Sequence, residues 1–136
     1  GAAIYSTKAL EVVKLDNDNY FDNNFFAYFE DVDLSLRLKS SGFKAKLLTN
    51  SIVYHMHSAT GGNTTGFKEY YLTRNLFIYA KRHQSDENYK KHKKEYYIRF
   101  LKTVVKNINN FNVVKSAIKG LNDGLKESKK IEYWKV

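Results

Sequence analysis

Residues 25–44 read FFAYFEDVDLSLRLKSSGFK, and they set Glu30, Asp31 and Asp33 directly after the rings of Phe25, Phe26, Tyr28 and Phe29. So much charge against so much apolar ring needs a reason, and local structure offers the first. From Val32 to Leu38 the apolar residues fall at 32, 34, 36 and 38, the alternation of a strand. The pairs 32/36 and 34/38 are also four apart, as on one helix face, so periodicity leaves both readings open. Two further signals favour a helix. Early carboxylates suit the positive N-terminal end of a helix, and Gly42 after Lys39-Ser40-Ser41 suits its C-terminal end. On such a helix Asp33 and Arg37 stand four apart, the spacing of a surface ion pair.

Outward from this stretch, residues 2–6 read as a short buried strand and Thr7 to Val13 as a short helix with Thr7 as its N-cap. Asp16 to Asn24, rich in Asn and Asp, reads as a loop. Phe43 to Leu48 and Ser51 to His55 read as strands, followed by a Gly/Thr/Ser loop from Ser58 to Gly66. From Phe67 onward the pattern is helical, over about 68–83, 86–109 and 111–127.

Composition limits the function classes. With 136 residues, 43% of them hydrophobic and 15% aromatic, the chain has enough for one modest core. It has no cysteine, so a disulfide framework and a thiolate metal site are both excluded. No apolar run approaches the roughly 20 residues of a membrane span. The net charge of +9 is placed unevenly. Residues 1–68 hold seven basic and seven acidic side chains, whereas residues 69–136 hold sixteen and seven. A neutral half whose chemistry must be judged residue by residue is thus joined to a basic half suited to an anionic partner.

The segment Phe21-Asp22-Asn23-Asn24-Phe25-Phe26-Ala27-Tyr28-Phe29-Glu30-Asp31-Val32-Asp33-Leu34-Ser35-Leu36-Arg37, then Gly42-Phe43, Val53-Tyr54-His55 and Arg74-Asn75, resembles in order and spacing the C-terminal half of family 2 glycosyltransferases of the rhamnosyltransferase-like kind. The match covers about residues 1–82; Asn23 departs from the Glu that members often carry. The resemblance implies an α/β class, the C-terminal portion of a GT-A fold with few strands, followed by a helical basic extension. Residues 1–82 would be the acceptor and catalytic-base portion and residues 83–136 the extension.

The activity implied is inverting transfer of a sugar from a nucleotide-diphosphate donor to a hydroxyl of a glycan or lipid-linked acceptor, in cell-surface polysaccharide synthesis. An acceptor hydroxyl is a poor nucleophile until a positioned base takes its proton, and a carboxylate among apolar rings has its basicity raised. The resemblance assigns that base to Asp31 and leaves Glu30 to hold or tune the site.

It also places a metal-binding His at the position of His55, a ligand for the Mg²⁺ or Mn²⁺ that neutralises a departing diphosphate. In isolation His55 and His57, two apart on a strand, are a weak metal signal. Asp16-Asn17-Asp18 has the form of a metal-holding Asp-x-Asp, but in an Asn-rich stretch four residues before Asp22 it reads as a turn. No donor-binding half is found in these residues. The chain therefore reads as a piece of something longer, inactive alone, and homo-oligomeric through strand pairing or the aromatic surface around Phe25, Phe26, Tyr28 and Phe29.

In the basic half, Lys90-Lys91-His92-Lys93-Lys94 precedes Tyr97, Phe100, Leu101, Val104, Val105 and Ile108, spaced for one helix face. Packing against neighbouring helices is the first reading. The functional one is an interfacial helix, docking residues 86–130 on anionic lipid at the inner, cytoplasmic face of a membrane. The rival to the enzyme is a non-catalytic basic helical module that binds anionic membrane or nucleic acid, with nucleic acid the weaker of the two.

Overall fold

The computed structural model describes residues 2–15, 19–54 and 66–134. They form five helices: α1 Thr7–Val12, α2 Glu30–Ser40, α3 Phe67–His83, α4 Asp86–Lys106 and α5 Phe111–Ser128. The helices of the second half follow the sequence periodicity closely. α4 is shorter than its apolar spacing suggests and stops at Lys106, capped through backbone turns at Asn107. Within residues 25–44 the ambiguous stretch resolves as helix, α2 from Glu30 to Ser40, and Gly42, at φ 84°, makes the left-handed exit that its position implied. There the Phe43 N–H donates to the Leu38 carbonyl at 3.0 Å.

The expected α/β class is overturned. Among the described residues there is no strand, and the chain is helical. The physical reason lies in the segments expected to pair. A strand is held by a neighbour that takes up its N–H and C=O groups, yet residues 44–54 make no backbone hydrogen bond among those described. Residues 44–54 are exposed throughout, with the side chains of Leu47, Ile52 and Tyr54 almost fully in solvent. Ile4, expected in a buried strand, is equally exposed. A GT-A fold is built on a central sheet, so the family 2 glycosyltransferase resemblance does not give the fold of this chain.

α3 organises what forms instead. Its residues Leu76, Phe77 and Ala80 join Tyr96 of α4 in one core cluster, against which Leu121 and Leu125 of α5 pack. Ile78, on another side of α3, meets Phe25 and Ile131 in a second cluster, and Phe29 touches both. A helix buried on several sides must be apolar on several sides, and α3 is.

α5 lies against α3 at unusually close range. Gly120 and Gly124 face the backbone of Tyr70 and Arg74, two pairs each four residues apart. The match of i,i+4 rows on both helices is ridge-into-groove packing, and the missing Cβ atoms permit it. A Cβ on Gly124 would lie 2.6 Å from the Arg74 carbonyl oxygen. Side-chain caps start both C-terminal helices. Ser85 accepts from the Asn88 N–H and Asn110 from the Val113 N–H, each at 3.3 Å. Beyond α5, Ile131 is buried, and the Trp134 N–H donates to the Arg82 carbonyl at 2.7 Å, tying the tail to the end of α3.

Candidate functional site

The aromatic run before α2 bends in a way few sequences tolerate. Phe26, Tyr28 and Phe29 have φ values of 59°, 63° and 74°, left-handed backbone at residues that carry large side chains. Each such residue costs on the order of 1–3 kcal/mol and persists only where its surroundings over-determine it. Here α3 supplies those surroundings. The side-chain nitrogen of Asn75, on α3, lies 2.8, 2.7 and 2.8 Å from the carbonyl oxygens of Phe25, Ala27 and Tyr28. It has two hydrogens for three acceptors, so one hydrogen is shared. Its oxygen accepts from Arg74 Nη1 at 2.7 Å, and the same nitrogen of Arg74 donates to the Asn24 carbonyl at 2.6 Å.

Rings complete the hold. Phe26 stacks on Tyr71 with centroids 5.3 Å apart, Phe29 tilts against Tyr79 at 5.2 Å, and Phe25 is fully buried. The Arg74-Asn75 pair and the aromatic run, fifty residues apart in sequence, thus form one unit.

Phe29 is also the N-cap residue of α2, so the strained backbone delivers the chain directly into the carboxylate cluster. Glu30, Asp31 and Asp33 occupy the first turn, where the unpaired N–H groups of the helix favour negative charge. The three then part company. Asp31 is exposed; one carboxylate oxygen accepts from the Val32 N–H at 2.8 Å, and the other has no partner among the described residues. Glu30 is half-buried, with Oε2 out of solvent and without a hydrogen-bond partner among the described residues. Asp33 points into the protein.

Asp33 and Arg37 do pair, but not at the surface. Both are fully buried, with Arg37 Nε 2.9 Å from Asp33 Oδ2. Arg37 also donates to the carbonyls of Val13 and Tyr20, binding α1 and the following loop to α2. His83 Nε2, from the end of α3, lies 2.8 Å from Asp33 Oδ1. Arg82 pairs with Asp22, whose other oxygen accepts from the N–H and side-chain amide of Asn24 at 2.9 and 2.7 Å. Burial alone would raise Asp33; the hydrogen bond from His83 and the charge and hydrogen bond of Arg37 outweigh it and hold the carboxyl below its ordinary value. This network is the foundation on which the Glu30-Asp31 turn stands.

Of the residues singled out from the sequence, Glu30 and Asp31 sit side by side at the exit of the strained loop. His55, His57, the Asp16-Asn17-Asp18 turn and residues 58–65 of the Gly/Thr/Ser loop lie outside the described residues. The apolar enclosure expected around Asp31 is absent, since the rings turn towards α3 and leave it in solvent. Among the described residues no group of three His, Asp or Glu would ligate a cation. Sequence reasoning missed Arg82 and His83. Asn75 and Arg82 are seven apart, two turns along one side of α3, and that spacing was the available signal.

No helix among the described residues is long and apolar enough to cross a membrane. Against family models, curated proteins and solved structures, the chain shows no match.

Proposed function

We propose that this chain supplies the hydroxyl-activating carboxylate of an enzyme that transfers a sugar, with inversion, from a nucleotide-diphosphate donor to an acceptor hydroxyl. Asp31 is the base and Glu30 its neighbour in the site. The observation that carries the reading is the loop held by Asn75, strained at three residues, which ends at the exposed carboxylate of Asp31. Backbone strain that a fold maintains with dedicated hydrogen bonds is concentrated at sites where geometry must be fixed. An exposed carboxylate on such a mount is accessible to an acceptor and restrained in position, the two requirements for general-base catalysis.

In the reaction, Asp31 takes the proton of the acceptor hydroxyl as its oxygen attacks the anomeric carbon, and the nucleoside diphosphate leaves from the opposite face. Glu30, half-buried beside Asp31, helps position the incoming hydroxyl. A divalent cation, Mg²⁺ or Mn²⁺, enters this proposal through His55. His55→Ala should raise the cation concentration needed for half-maximal activity, and His57→Ala should leave it unchanged. The reading is tested by offering the product of the complete gene a panel of nucleotide-diphosphate sugars and following acceptor-dependent release of nucleoside diphosphate. Release with at least one donor supports sugar transfer; none across the panel, with glycan and lipid-linked acceptors present, rejects it.

A further inference from the structure

α4 carries more apolar surface than its packing uses. Tyr96 is buried, and Tyr97, Phe100 and Val104 are half-buried on the side turned to its helical neighbours. The opposite side carries apolar side chains too, with Ile98 at 41%, Leu101 at 54% and Val105 at 67% exposure, and Ile108, just past the helix end, is 68% exposed. The spacing of three and four residues aligns Ile98, Leu101 and Val105 along one face of α4, and Ile108 and Phe111, both exposed, follow just beyond its end. The face expected from sequence is therefore split: half of it closes the core, and the other half, with Ile98 and Phe111, stays exposed among the described residues. Contiguous exposed apolar surface of this kind marks a contact.

The charge around the patch selects what covers it. α4 has seven basic and three acidic side chains. Lys91 and Lys94 stand one to two turns before Ile98 on the same exposed side, and Lys102 and Lys106 run along the stripe's edge. A second copy of the chain, meeting this face about a two-fold axis, would bring these lysines towards one another. Nucleic acid would reward the lysines but give Ile98, Leu101 and Val105 nothing to contact, since phosphate backbones do not bury aliphatic side chains. A bilayer bearing anionic headgroups satisfies both, with aliphatic side chains in the acyl boundary and lysines in the phosphate layer.

We infer that the exposed face of α4, continued by Phe111, lies flat on an anionic lipid surface, with Ile98, Leu101, Val105 and Ile108 inserted and the lysines at headgroup level. The inference is independent of the sugar-transfer reading, because no residue of the Asp31 site takes part. It fixes which side of α4 meets lipid: Tyr97, Phe100 and Val104 face inward and do not contribute.

The test is co-sedimentation of the full chain with vesicles of phosphatidylglycerol and phosphatidylcholine, and with vesicles of phosphatidylcholine alone. Leu101→Glu/Val105→Glu serves as the variant; both positions are exposed, so circular dichroism should show its helix content unchanged. The wild type should sediment with the anionic vesicles and not with the neutral ones, and should release as salt rises past the point where the screening length falls below about 8 Å. The variant should partition at least about tenfold less. Equal partitioning of variant and wild type, equal binding to neutral vesicles, or tighter binding to duplex DNA than to anionic vesicles would each overturn the inference. So would a dimer in light scattering that the variant dissolves, which would assign the face to a second copy.

Discussion

Asp33 and Arg37, four residues apart on α2, form an ion pair from which solvent is fully excluded. Arg37 is the largest fully buried side chain among the described residues, and it is satisfied on every side: by Asp33, by the carbonyls of Val13 and Tyr20, and by the ring of Trp134, 5.6 Å from its guanidinium carbon. A pair of this kind fixes where α1, α2 and the tail sit relative to one another. Removing one partner leaves the other charge buried and uncompensated. Arg37→Ala and Asp33→Ala should each cost about 3–5 kcal/mol in urea denaturation, well beyond the 0–1 kcal/mol of an exposed pair. A loss below about 1 kcal/mol for either would mean that the pair is solvated.

The same pair sets a pH dependence. Its carboxyl is held below the ordinary value, so the folded state binds the proton less well than the unfolded chain. The stability it provides is complete above the unfolded value of about 4 and is lost as pH falls through the lower folded value. Urea midpoints should therefore be level from neutral pH down to about 5 and fall steeply below about 4, with the drop reduced in Asp33→Asn. A midpoint that declines equally in both proteins would place the acid sensitivity elsewhere.

At the crossing of α3 and α5, helix propensity and packing give opposite signs. In an open helix, Gly→Ala stabilises by about 1 kcal/mol. Gly124→Ala should instead destabilise by about 1–3 kcal/mol, because its Cβ meets the Arg74 carbonyl and the helices must move apart. Thermal unfolding decides the sign, and a raised midpoint would show that the helices are not so closely apposed.

The hold of Asn75 on the aromatic loop is chemical as well as steric. Asn75→Asp preserves the shape but turns an oxygen towards three carbonyl oxygens, so it should be at least as destabilising as Asn75→Ala, each by about 1–3 kcal/mol or more. Near-neutral denaturation of Asn75→Asp would remove the clamp from the account.

The contrast between what the chain announced and what it withheld follows from locality. α3, α4 and α5 were legible because helix periodicity and caps such as Ser85 and Asn110 act over a few residues. α2 was legible through its ends, Glu30-Asp31 and Gly42, where its interior pattern was ambiguous. Among the described residues the strands expected at 43–48 and 51–55 did not form, because such runs carry strand-like composition but no information about a partner, and pairing is non-local. The burial of Asp33 and Arg37 was invisible for the same reason: their spacing specifies a pair, and only the packing of α1, α3 and the tail puts it inside. The left-handed turn ran against propensity altogether, since Phe26, Tyr28 and Phe29 lack the small or self-bonding side chains that favour it. Its cause, Asn75, lies about fifty residues away.

The central claim is that the strained loop exists to hold Asp31 as a base, and the direct measurement is turnover by Asp31→Asn in the product of the complete gene, alongside donor affinity. The account predicts a fall of roughly 100- to 10,000-fold in kcat, as expected for the loss of a general base, with donor Kd and folding stability close to wild type. Turnover within a few-fold of wild type would contradict it and reduce the loop to a structural device.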